Sequence, residues 1–116
     1  MDLATKSDAE ILAVATPIMD NLMEASTAID YDRHVRDFTD RLKQRLSRPQ
    51  LEWICQDYQR TKGVFAEREF VAAFRRPDSV ALVWKQRFTL QRGDFVAEMV
   101  LVQQNGRYLV DHVMVF

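Results

Sequence analysis

An α+β fold, with three N-terminal helices packed on a four-stranded antiparallel sheet, is what the sequence predicts. Three observations carry it. Apolar residues recur at helical spacing as far as Lys62. Beyond Gly63 the period changes to two, in runs rich in Val, Phe and Trp that are separated by turn residues. Asn105-Gly106 then joins the last two runs, and both residues accept the positive φ of a tight hairpin turn.

The elements follow in order. Ser7 to Glu10 reads as a capping box, with the Ser7 hydroxyl and the Glu10 carboxylate each satisfying an amide of the first turn. Ile11, Val14, Ala15, Ile18, Leu22 and Ala25 continue the stripe and predict one helix over 8–26, kinked at Pro17. Asp30 is a good N-cap for a second helix, on which Tyr31, Val35, Phe38, Leu42 and Leu46 form one apolar face. Ser47 caps a third helix with Pro49 in its first turn. Its buried stripe is Leu51, Ile54, Cys55 and Tyr58, Trp53 lies half exposed beside the stripe, and Gly63 suits its end. Strands are predicted over 64–74, 80–90, 95–103 and 107–116.

The 116 residues suit one domain, 1–116. A net charge of −1 gives no overall attraction to nucleic acid. The basic residues gathered between Arg33 and Arg48 are interleaved with Asp32, Asp37 and Asp40, as on a solvated helix face. The single cysteine, Cys55, permits no intrachain disulfide, and the N-terminus lacks the basic start and apolar run of a signal peptide. A cytoplasmic protein with no membrane partner is expected, with a leader removed beforehand left open.

The last two strands are apolar on both faces. Phe95, Ala97, Met99 and Leu101 alternate with Val96, Glu98, Val100 and Val102, and Tyr108, Val110, His112, Met114 and Phe116 alternate with Leu109, Asp111, Val113 and Val115. Three helices cover one side only. A homodimer packed sheet on sheet, burying at least ~1,000 Å², is therefore expected.

The helix–Asp-Tyr–helix segment "MEASTAIDYDRHVRDFTDRL", the "TKG" that ends the third helix and the final hairpin "DFVAEMVLVQQNGRYLVDHVMVF" together resemble the nuclear-transport-factor-2-like superfamily, the cystatin-like α+β cone, and most closely its small bacterial members of unknown function. The resemblance is architectural and spans nearly the whole chain. It implies a cone-like fold whose curved four-stranded sheet wraps around the helices, a pocket between sheet and helices, and a homodimer through the sheet. Members of that superfamily include isomerases, dehydratases, cyclases and non-catalytic binding modules, so the resemblance does not choose a function.

Catalysis in such a pocket needs an acid or base whose pKa the site has shifted. No catalytic residue is assigned. His112 is the candidate general base if its face, shared with Tyr108, Val110 and Met114, lines the pocket; a histidine satisfied in the core is the plainer reading. Glu98 stands in a row of valines and must be wet, paired with Arg87 or Lys85, or shifted in pKa. Trp84 could floor a pocket, with Phe88, Met99, Tyr108 and His112 as the other ligand-binding candidates. Asp30, His34 and Asp37 share a helical side but make an incomplete ligand set, so no metal is expected, and Cys55 reads as a core residue. There is no phosphate-binding glycine loop, Cys-x-x-Cys or Gly-x-Ser-x-Gly, and no cofactor is expected. These features point to a non-catalytic domain that holds a small apolar ligand or a protein partner. The alternative is an isomerase, dehydratase or cyclase-type enzyme using a pocket carboxylate or His112.

Overall fold

The computed structural model describes residues 3–116. A short 3-10 turn, Leu3–Thr5, precedes α1 (Asp8–Ala28), α2 (Tyr31–His34), α3 (Asp40–Lys43) and α4 (Arg48–Lys62), and β1 (Phe65–Arg75), β2 (Val80–Phe88), β3 (Phe95–Gln104) and β4 (Arg107–Val115) form one antiparallel sheet in that order. The predicted α+β class and the four-stranded meander are present.

The Ser7 and Ser47 capping boxes both form, and α1 runs unbroken through Pro17. One face of α1 is buried through Ile11, Ala15, Met19 and Leu22. It packs against Val80, Leu82 and Trp84 of β2 and Ala97, Met99 and Leu101 of β3. Burying such side chains is worth roughly 1.5–3 kcal/mol each, which makes this layer the main source of stability.

The second helix departs from the expectation. Its apolar stripe is helical in spacing, yet the chain leaves the helix after His34 and re-enters one at Asp40. The reason lies at the edge of the sheet. Val110 N–H donates to the Asp37 carbonyl (2.7 Å) and Thr39 N–H donates to the Val110 carbonyl (2.9 Å), so residues 37–39 pair with β4 instead of continuing the helix. These bonds cover an otherwise bare strand edge, and the Thr39 hydroxyl then caps α3 by accepting from Leu42 N–H (3.2 Å).

A second correction concerns β4. Val100 pairs with His112 but Leu101 pairs with Val110, so Asp111 is an extra residue in a β-bulge. The bulge exchanges the two faces. Tyr108, Val110, Val113 and Val115 pack toward the core, while Leu109, His112 and Met114 share the opposite face with Val100 and Glu98. His112 therefore does not share a face with Tyr108 and Val110.

Asp111 ties the bulge to the 37–41 segment. Its carboxylate accepts from the Thr39 hydroxyl (2.8 Å) and from Arg41 Nε (3.0 Å), and Arg41 also donates to its carbonyl. Burial pushes this carboxyl up, but the hydrogen bonds and charge of Arg41 and the Thr39 bond outweigh it and hold it below the usual value. Asp111→Ala is expected to cost about 1–3 kcal/mol in urea unfolding, against less than ~1 kcal/mol for Asp57→Ala, whose Arg60 pair is solvent-exposed. Equal costs would show that the bulge is not held by this carboxylate.

Candidate functional site

The cavity begins as a packing consequence. α4 rests on α1 where Ser26 lies beside Cys55 and Tyr58: the Ser26 hydroxyl is 3.3 Å from Cys55 Sγ and 2.7 Å from the Tyr58 hydroxyl. Gln59 Nε2 donates to the carbonyls of Ser26 and Thr27, both at 3.3 Å, and so closes the end of α1. Between α4 and the carboxyl end of β4 the two layers stand apart, leaving a cavity of about 710 Å³. That volume lies in the range of small-molecule sites, roughly 300–1,000 Å³.

Its walls are mainly apolar: Leu22 and Met23 from α1, Phe38 and Leu42, Leu51 from α4, and Val113 and Val115 from β4. An aromatic group closes one end. Phe65 and Phe88 stand with ring centroids 5.1 Å apart, Tyr58 is 5.1 Å from Phe65, and Phe95 meets Phe88 edge-on at 5.1 Å. At the other side the lining reaches Arg45, Leu46 and Ile54, which also border a shallower groove with Pro49, Gln50 and Trp53.

The polar groups inside are few, and His34 is the one that sequence reasoning missed. Asp30 caps α2 by accepting from Arg33 N–H (3.2 Å). Arg33 then fixes α2 to α1: its Nε donates to Asn21 Oδ1 (3.0 Å) and its carbonyl accepts from Asn21 Nδ2 (3.0 Å). The next residue, His34, is thereby set into the cavity wall, edge-on to Phe38 with ring centroids 5.5 Å apart. Its Nδ1 is buried and makes no hydrogen bond among the described residues. Desolvation lowers its pKa to about 4, so the ring is neutral at pH 7. A signal existed, since His34 follows the capped turn that carries Tyr31, but its spacing to Asp30 and Asp37 suggested an outward face. In the fold Asp30 is engaged in capping and Asp37 accepts from Arg36 (2.8 Å) and Arg107 (3.0 Å), so the three do not converge. No group of three or more metal-ligating side chains occurs among the described residues.

Burial raises the Cys55 thiol and the Tyr58 phenol above their ordinary values, against the smaller opposing effect of the Ser26 hydrogen bonds, so both stay protonated. No aspartate or glutamate among the described residues lines the cavity. The arrangement can orient a guest by neutral hydrogen bonds from His34, Ser26 and Tyr58, and it contains no preformed nucleophile.

Of the residues expected to bind a ligand, Phe88 lines the cavity. Trp84 and Met99 are buried in the core layer between α1 and the sheet, Trp84 edge-on to Phe70, and Tyr108 packs against the same core from β4. His112 and Glu98 lie together on the outer face, Nε2 to Oε1 at 2.8 Å, a diagonal pair across β3 and β4. Glu98 thus finds its partner in His112 rather than in Lys85 or Arg87, and neither borders the cavity.

Fold and site together define a single curved antiparallel sheet, walled on one side by helices, whose open end is an apolar cavity. Two solved structures share this fold. A SEC-C motif containing protein from Rhodopseudomonas palustris superposes with a TM-score of 0.57 at 12% identity, covering 98% of each chain. Bd1075 from Bdellovibrio bacteriovorus gives 0.55 at 8% identity over 94% of this chain, which spans 42% of that larger protein. A DUF4783 family protein from Bacteroides ovatus is more distant, with a TM-score of 0.47 at 11% identity over 82% of this chain and 90% of that one. No family model matches the chain, and no curated protein matches it in sequence. No helix among the described residues is long and apolar enough to cross a membrane.

Proposed function

We propose that this chain is a non-catalytic binding domain that holds a small, mainly apolar molecule between α4 and β4. The observation that supports this reading is the cavity of about 710 Å³, with apolar walls and a neutral His34 in its lining. The enzymatic alternative has less support, because neither Glu98 nor His112 borders the cavity and no other aspartate or glutamate among the described residues does. Membership of the nuclear-transport-factor-2-like superfamily remains part of the proposal, supported by the order of helices before a curved meander. A cytoplasmic location is likewise proposed, on the strength of the unpaired Cys55.

The outer face of the sheet favours a second component of the reading, a homodimer. Phe74 and Met114 are 56% and 50% exposed there, and Val83, Val96, Val100, Val102 and Leu109 extend the apolar surface. Charges of both signs accompany it, with Glu69 opposite Lys85 and Glu98 beside His112, so a two-fold axis can set acid against base.

Native mass spectrometry of gently purified protein reads both components in one spectrum. A dimer mass carrying an additional small molecule is the expected result. Val113→Phe, which places a ring in the cavity wall, is expected to lose that added mass while keeping the dimer. A wild-type chain that never retains or takes up an apolar molecule would overturn the binding reading, and a monomer mass at micromolar concentration would overturn the dimer.

A further inference from the structure

Among the described residues, the charged side chains that border the cavity are all of one sign. Arg45 and Lys62 line it, and no aspartate or glutamate among the described residues does. Arginine side chains elsewhere in this chain find carboxylates readily: Arg33 with Glu24, Arg36 and Arg107 with Asp37, Arg41 with Asp111, and Arg48 with Asp32. Arg45 makes no ion pair with a described carboxylate, nor do Arg76 and Arg92, and of these three only Arg45 borders the cavity.

The two cations are not equivalent. Lys62 ends α4, is half-buried, and its ammonium lies 5.9 Å from the centroid of the Phe95 ring, a cation–π contact. Arg45 is exposed in the α3–α4 connection, where the cavity passes into the groove bordered by Gln50 and Trp53. A guanidinium at that boundary presents a planar fork of donors to an incoming head group.

Building on the binding reading above, we propose that the guest is an anionic amphiphile. Its hydrocarbon body occupies the cavity between α4 and β4, and its carboxylate is held at the mouth by Arg45. Discrimination by head group follows from this geometry. A neutral analogue fills the same apolar volume but leaves the guanidinium without a counter-charge. The acidic analogue gains a charge-assisted hydrogen bond at the cavity mouth.

The test compares decanoate with decanol at pH 7.5, by titration calorimetry, on the wild type, Arg45→Gln and Lys62→Gln. The wild type is expected to bind decanoate roughly three- to tenfold more tightly than decanol, a margin typical of one partly screened charge contact. Arg45→Gln is expected to bring the two ligands close to parity without weakening decanol, and Lys62→Gln to retain the preference. Raising the salt concentration should narrow the wild-type preference. Equal affinities in the wild type, or a preference that survives Arg45→Gln, would overturn the head-group assignment and leave the apolar cavity as the binding site. A preference abolished by Lys62→Gln alone would overturn the placement of the head. Failure of both ligands to bind would instead remove the binding reading on which this inference rests.

Discussion

Gly63→Ala is expected to be the most damaging single-methyl substitution in the chain, lowering the free energy of unfolding by about 3 kcal/mol or more. Gly63 joins α4 to β1 at φ 82°, ψ −146°, a backbone region that is essentially glycine-only. Space is also lacking. An added Cβ would run into the Thr89 hydroxyl, with Leu90 Cγ at 2.8 Å and Leu90 N at 3.1 Å. The Thr89 hydroxyl cannot swing away at no cost, because it accepts from Val64 N–H (3.0 Å). Leu90 N–H is likewise tied to the Lys62 carbonyl (3.0 Å) and Thr89 N–H to the Val64 carbonyl (3.0 Å). Gly106 provides the control. Its φ is also positive, at 75°, but an added Cβ there meets nothing within 4 Å, so Gly106→Ala should cost only about 1 kcal/mol. Urea unfolding of the two variants reads the difference directly. Similar losses would show that conformational strain alone governs both sites, and that the packing of the α4–β1 junction against the end of β2 contributes nothing.

That junction also shows what the sequence makes legible. Gly63 marks the change from helical to alternating periodicity, and capping residues mark the starts of α1, α2 and α4, because these are local effects of one residue on its own backbone. The broken second helix was not legible. Tyr31, Val35, Phe38, Leu42 and Leu46 keep helical spacing, and what interrupts them is pairing of residues 37–39 with β4, some seventy residues further along the chain. Local propensity lost there to a strand edge needing partners. The bulge at Asp111 was hidden for the same reason. Nothing in "YLVDHVMV" shows that one residue is passed over, yet that single residue decides that Val113 and Val115 border the cavity and His112 does not. Phe88 could be placed because β2 is regular from Val80 to Phe88. His34 could not, because its side of α2 depends on the Arg33–Asn21 contact with α1.

The neutral state of His34 has a measurable cost in acid, and the sign follows from where the proton goes. In the unfolded chain an imidazole titrates near its ordinary value of 6.5, and in the folded protein desolvation lowers that of His34 to about 4. Between these values the unfolded chain holds a proton that the folded one does not, so stability is lost as the pH falls from 6.5 to 4 and is level above that range with respect to this group. Each unit of difference is worth 1.36 kcal/mol, so the complete loss amounts to about 3 kcal/mol at most. Depressed carboxylates act lower on the scale. For Asp37, burial raises the carboxyl, and the hydrogen bonds and charges of Arg36 and Arg107 outweigh it and hold it down, as Arg41 and Thr39 do for Asp111. Their contribution persists above the ordinary aspartate value and disappears as the pH falls through the lowered folded values, beneath the His34 window. Thermal unfolding from pH 7.5 to 3 should therefore show two successive declines. His34→Phe should abolish the first, retain the second and be at least as stable as the wild type at pH 7.5, because it removes a buried nitrogen without a partner. Asp111→Asn should retain the first and reduce the second. A wild-type profile that is flat between pH 6.5 and 4.5 would mean that His34 is protonated in the folded cavity. Below pH 6.5 the cavity would then carry a positive charge in addition to Arg45 and Lys62, and the desolvation assigned to the His34 ring would have to be abandoned.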